Sequence, residues 1–194
     1  MKAIAICAST LLLGILLTGC VAPTGNLAYS ALVPGEMKPA PGKALVVFMR
    51  PSPLGLLIHA SVHDDAKLIG LVPYNCKLGY QADPGKHTFM VVSEAADFMT
   101  ADLEAGKIYY AEVVPRMGAW RARFSLAPVK GAELDTPKVK KWIASAKAIE
   151  NKPSAYEWEK GSHTSILEKK EAYHRKWLTK SEAERPHLSA TDGI

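Results

Sequence analysis

The first pattern along the chain is an uncharged, mostly apolar run from Ala3 to Leu17, about fifteen residues long, preceded by a single charge at Lys2. As a helix it would rise roughly 22 Å at about 1.5 Å per residue, short of the roughly 30 Å of bilayer hydrocarbon, so it predicts a cleaved signal segment over residues 1–19 and not a permanent span. From Val21 to Gly42 large apolar residues thin out and Pro23, Gly25, Pro34, Gly35, Pro39, Pro41 and Gly42 punctuate the chain. Residues 20–42 therefore read as a flexible tether, with a root-mean-square span of roughly 26 Å.

Between Lys43 and Lys130 short β-type runs alternate with turn chemistry. Ala44–Met49 is one run, closed by Arg50-Pro51-Ser52-Pro53, because proline cannot donate to a ladder. Leu56–His63 is a second, and Asp64-Asp65-Ala66-Lys67 turns it into Leu68–Val72 as a hairpin. Pro84-Gly85 sits at the centre of a type II turn that feeds His87–Ser93, and Ala105-Gly106-Lys107 separates Phe98–Glu104 from Ile108–Pro115. Trp120, Ala122, Phe124 and Leu126 alternate with Arg121, Arg123 and Ser125, a period of two with one apolar and one cationic face. About seven or eight short strands at this spacing predict a mainly β domain over residues 43–130, an antiparallel β-sandwich.

After residue 130 the period changes. Thr136-Pro137 reads as an N-cap followed by proline at the first helical position, and Val139, Trp142, Ile143, Ala146 and Ile149 form a stripe at helical spacing. Asn151 and Pro153 open a second helical stretch carrying Tyr156, Ile166, Leu167, Tyr173, Trp177 and Leu178, with Gly161-Ser162 as a candidate interruption. Residues 131–194 are thus expected to be a C-terminal extension of two amphipathic helices that pack on the sandwich or engage a partner.

Composition changes little of this picture: 48% hydrophobic and 22% charged residues in 194 are those of an ordinary globular chain. Charge is more telling. Residues 20–135 balance eleven basic against eleven acidic side chains, whereas residues 136–194 carry twelve against eight. The basic excess sits in the helical tail, where it suits anionic envelope polymers or headgroups, and equally a solvated helix surface.

Leu17-Thr18-Gly19-Cys20, behind the apolar run, resembles the lipobox of bacterial lipoprotein precursors. The resemblance implies that the thiol of Cys20 is acylated and the chain cut before it, with Leu17, Thr18 and Gly19 as the peptidase recognition residues. Of the three cysteines, Cys7 would leave with the signal segment and Cys20 would be lipid-linked, so Cys76 would be the one remaining thiol, a small strand residue with no base beside it. Two or three acyl chains make such an anchor permanent. In a host with two membranes, Val21 after the cysteine, where an Asp resembles a retention signal, favours the outer membrane facing the periplasm.

No catalytic or metal signature accompanies the anchor. His59 and His63 stand near Asp64 and Asp65, but residues four apart on a strand are roughly 13 Å apart, too far for a shared ion whose ligands lie about 2 Å away. There is no GxSxG, P-loop, GxGxxG or CxxC, so no cofactor or metal is expected. Trp120, Arg121 and Arg123 form a candidate binding face, although alternation on an edge strand equally leaves such arginines in solvent. An exported, tethered chain is not expected to bind nucleic acid.

The succession Gly42–Phe48 with Arg50-Pro51, then Pro84-Gly85-Lys86-His87, then Leu103–Tyr110 resembles a family of uncharacterised bacterial envelope lipoproteins with a small β-sandwich domain of unknown function. It covers about residues 42–130. It implies fold and envelope location, and no catalytic residue. The expectation is a lipid-anchored, non-enzymatic structural or protein-interaction module. Two alternatives remain. A ligand or glycan site would be lined by Trp120, Tyr109 or Tyr110, and a hydrolase would need His59, His63 or His87 to converge.

Overall fold

The computed structural model describes residues 28–118 and 123–194. Leu17, Thr18, Gly19 and Cys20, which resemble a lipobox, and two residues of the candidate face, Trp120 and Arg121, lie outside them. The described chain runs β1 (Ser30–Leu32), β2 (Ala44–Met49), β3 (Ser61–Asp64), β4 (Lys67–Leu71), β5 (Cys76–Ala82), β6 (Gly85–Val92), β7 (Ala96–Leu103), β8 (Ile108–Arg116), β9 (Arg123–Pro128), α1 (Pro137–Ser145), β10 (Lys147–Asn151), α2 (Pro153–Leu178) and β11 (His187–Leu188). One sheet has the order β1-β10-β5-β2-β8-β9 and the other β11-β7-β6-β3-β4.

The protein is mainly β, but its sheets are mixed. Hairpins supply the antiparallel pairs β3–β4, β6–β7 and β8–β9. Three pairs, β2–β8, β5–β10 and β7–β11, are parallel, which corrects the expectation of a wholly antiparallel sandwich. The physical reason lies in the crossings. After β2 the chain builds β3 and β4 in the second sheet, returns as β5, leaves again for β6 and β7, and re-enters beside β2 running the same way as β8. Strand β2 is buried at every position, as a strand covered on both faces must be. One face of it, through Val46 and Phe48, meets Phe89, Val91 and Met99 of the second sheet, with the Phe48 and Phe89 rings edge to face at 5.3 Å. The other face, Leu45, Val47 and Met49, lies under Val139, Trp142 and Ile143 of α1.

The helices differ from expectation in extent. The stripe from Val139 to Ile149 is not one helix: α1 stops at Ser145 and Ile149 belongs to β10, where it is buried in the core. Backbone pairing of Lys147, Ala148 and Ile149 with Cys76, Lys77 and Leu78 overrides helical spacing. Helix α2 is continuous over 26 residues and Gly161 does not break it. A glycine there costs about 1 kcal/mol, which is offset because Ile166 and Trp177 bury against Met90, Val92 and Phe98 on the outer face of the second sheet. Within the stretch read as a tether, Ser30–Leu32 pair with β10 and Met37 packs against the α1 cluster.

Candidate binding groove

The residues that sequence offered as chemistry are held apart, each with its own partners. The His59 ring stands edge-on to Tyr29 at 4.8 Å, and burial, then the charge of Arg50, lowers its pKa. His63 is buried, its Nε2 3.0 Å from Ser61 Oγ, while that hydroxyl donates to Val92 O at 3.3 Å. With the hydroxyl proton directed at a carbonyl, the imidazole is the donor and Ser61 is not activated as a nucleophile would be. Burial pushes the His63 imidazole down to about 4.

His87 Nδ1 lies 2.8 Å from Asp64 Oδ2 and its Nε2 2.8 Å from Asp83 O. Both nitrogens face oxygens, so neither is open to take a proton from a substrate. Tyr80 donates to the same Asp64 oxygen at 2.9 Å, and burial followed by that bond drives its phenol well above the usual range. The Cys76 thiol is pushed up to about 11 by burial, the state of an inert strand cysteine. Arg123 donates through Nε and Nη2 to Glu94 Oε1 at 3.2 and 2.9 Å. Tyr109 is fully buried; its hydroxyl accepts from Glu104 N at 3.0 Å and donates to Ala190 O at 3.3 Å. Between the sheets lie the buried side chains of Phe48, Phe89, Met99, Phe124 and Leu126.

Sequence reading missed two features. The first is Arg50, with no solvent exposure. Its Nη1 donates to Ile58 O and Val72 O at 2.9 and 3.2 Å, its Nη2 to Leu54 O and Gly55 O at 3.3 and 2.5 Å, and its guanidinium lies 4.4 Å from the centre of the Phe124 ring. Burial lowers its pKa to about 10, so it stays charged at neutral pH. Signal for it existed only in Arg50-Pro51 closing a strand, since its partners are carbonyls that every residue carries.

The second is a groove on the outer face of the second sheet. Lys86 and Thr88 of β6 pair directly across from Asp102 and Thr100 of β7, on the face that α2 covers only at its other end. Strand β11 sets His187 beside Thr100, with Thr100 Oγ1 3.0 Å from His187 Nδ1 and Asp102 Oδ2 3.7 Å from Nε2. The end of α2 supplies Trp177, and the following turn supplies Glu182 and Arg185. These residues line two adjoining cavities of about 310 and 290 Å³ that share Thr100 and His187. The Arg185 guanidinium lies 5.3 Å from the centre of the Trp177 ring. Trp177 Nε1, on a side chain only 4% exposed, and Arg185 Nε have no acceptor, an uncommon state for buried donors.

A third cleft, of about 370 Å³ beside α1, holds Glu112, Glu133, Lys138 and Trp142. Burial raises the Glu112 pKa. Its other polar groups are engaged: Glu133 accepts from Lys130 N at 2.9 Å, and Lys138 lies 4.5 Å from the centre of the Trp142 ring. Among the described residues no three His, Cys, Asp or Glu are grouped to hold a metal, and no helix is long and apolar enough to cross a membrane. No protein-family model, curated protein or solved structure matches the chain.

Proposed function

We propose that this chain is a bacterial envelope lipoprotein, cut before Cys20, acylated on that thiol and held on the outer membrane facing the periplasm, with a folded part that acts as a non-enzymatic interaction module. The observation that carries the reading is Leu17-Thr18-Gly19-Cys20 behind an apolar run too short to span. We read the two mixed sheets as a sandwich on that anchor. Support for a non-catalytic role comes from the side chains that could have reacted: the Ser61 hydroxyl donates to a carbonyl, His87 has both nitrogens engaged, and the Cys76 thiol is held protonated. The apolar stripes of both helices are occupied by the sheets, so a protein partner would meet the flank of α2, where Tyr156, Leu167 and Leu178 are exposed. Labelled palmitate should enter the protein in cells and should not enter a Cys20→Ala variant; unchanged labelling would overturn the anchor.

The groove favours a second reading, a periplasmic site for an oxygen-rich ligand such as a glycan. Its motive is the pair of donors without acceptors, Trp177 Nε1 and Arg185 Nε, beside a floor of hydroxyl, carboxylate and imidazole groups. Calorimetry with soluble peptidoglycan disaccharide fragments should give a binding heat that Thr100→Val weakens. No heat with the unmodified protein would remove this reading.

A further inference from the structure

Residues 51–58, Pro-Ser-Pro-Leu-Gly-Leu-Leu-Ile, carry no charge and join β2 to the segment before β3. Leu57 is 79% exposed and Leu54 46%. An apolar loop displayed in this way ordinarily leaves its backbone polar groups in water, and here many are turned inward or missing. The carbonyls of Leu54, Gly55 and Ile58 accept from Arg50. Ile58 N donates to Gly55 O at 2.8 Å, Leu54 N to Ser52 Oγ at 3.3 Å, and Pro51 and Pro53 have no N–H. Five backbone polar groups of the loop are thus bonded within the protein and two N–H groups are absent, while the side chains it displays outward at Leu54 and Leu57 are hydrocarbon, a surface suited to the boundary between headgroups and acyl chains. Strand β8 runs parallel to β2 and continues past its end, so Met117, 84% exposed, emerges on the same side next to the exposed Arg116.

Position in the fold says what this surface faces. Tyr29, at the start of the described chain, packs its ring on His59, the residue after Ile58. From Cys20 to Tyr29 the chain advances nine residues, at most about 32 Å when extended and roughly 17 Å as a flexible coil. An acylated Cys20 would keep this end of the molecule within about 32 Å of the lipid surface, near enough for the loop to touch it. We propose that Leu54, Leu57 and Met117 form a second, non-covalent membrane contact that enters the boundary between headgroups and acyl chains, with Arg116 at the anionic headgroups. The contact rests on the lipoprotein reading of Cys20, and it fixes which end of the protein meets the bilayer.

The test uses the full lipidated protein with Leu57→Cys, labelled with an environment-sensitive fluorophore and reconstituted in vesicles of phosphatidylethanolamine and phosphatidylglycerol. Leu167→Cys, on an exposed flank of α2, is the control. Cys20 would be blocked by its lipid and Cys76 is buried, so the introduced thiol is the one that reacts. Emission from position 57 should shift to the blue and be quenched by lipid-borne nitroxide, while position 167 keeps its aqueous spectrum. An acylated, vesicle-bound protein that leaves position 57 in water overturns the contact, as does a blue shift that nitroxide lipid does not quench, which would assign the loop to a protein partner. Mass measurement of the mature amino-terminal peptide reports acylation separately. If Cys20 carries no acyl group the anchor fails, and the contact then stands only if position 57 still moves into lipid unaided.

Discussion

At the scale of single residues the structure depends on two buried bases, Arg50 and His63. Arg50 satisfies four carbonyls and stacks on Phe124. Removing it strands those acceptors in a low-dielectric site, so Arg50→Ala should cost about 3–5 kcal/mol in urea unfolding. Arg50→Lys should recover only part of this, because an ammonium lacks the planar fork; a lysine variant as stable as the parent would show that charge alone matters there. His63 makes a pH prediction. It titrates at about 4 in the fold and near 6.5 when unfolded, so between those values only the unfolded chain takes up the proton. Stability is therefore lost as pH falls from about 6.5 to 4, by roughly 3 kcal/mol at the lower end. Unfolding free energies measured across that window should fall for the parent and flatten for His63→Gln. Parallel curves would assign the acid sensitivity elsewhere. Neither role was visible in sequence: His63 stood out as half of a metal pair with His59, and only the sheet shows that it lies under α2.

Among the elements, hairpins were the legible part. Alternation and turn residues located β2, β6, β7 and β8 within a residue or two, with Gly85 and Gly106 at the positive φ values their turns require. What escaped were β5, for which no run was read, and three strands whose identity comes from a distant partner. Strand β1 lies in a proline-rich stretch, β10 follows a helix at helical spacing, and β11 is two residues long; each forms only because β10, β5 or β7 offers an open edge. The groove was hidden for the same reason, since His187 reaches Thr100 from 87 positions away. The segment after β11 acts as a strap. Ile194 exchanges backbone bonds of 2.8 and 3.1 Å with Ile108, Lys107 Nζ donates to Ala190 O at 2.9 Å, and Lys130 Nζ reaches Asp192 at 3.0 Å. Gly193 lets it pass: a Cβ there would sit 2.6 Å from the Tyr109 ring. Gly193→Ala should cost about 1–3 kcal/mol and speed amide exchange at Ile108 and Ile194. Unchanged exchange would mean that Tyr109 yields and that the strap does not need the glycine.

The molecule as a whole is polarised along its strands. On the second sheet the polar groove lies at the Lys86 and Asp102 end of the β6–β7 hairpin, while Val92 pairs with Ser61 at the end where the apolar loop enters β3. Six residues of β6 separate the two, about 20 Å at strand rise. If the loop end rests on lipid, the groove opens away from the bilayer, where a soluble or wall-bound ligand could reach it without crossing headgroups. This orientation predicts opposite behaviour for two thiols. In the lipidated protein, Leu54→Cys should react with a bulky maleimide at least about tenfold more slowly on vesicles than in detergent, the factor that about 1.4 kcal/mol of protection produces. Asp102→Cys, at the groove, should react at similar rates in both. Protection at position 102 with free reaction at position 54 would turn the protein over, placing the groove against the membrane and making headgroups, not a periplasmic glycan, its natural ligand.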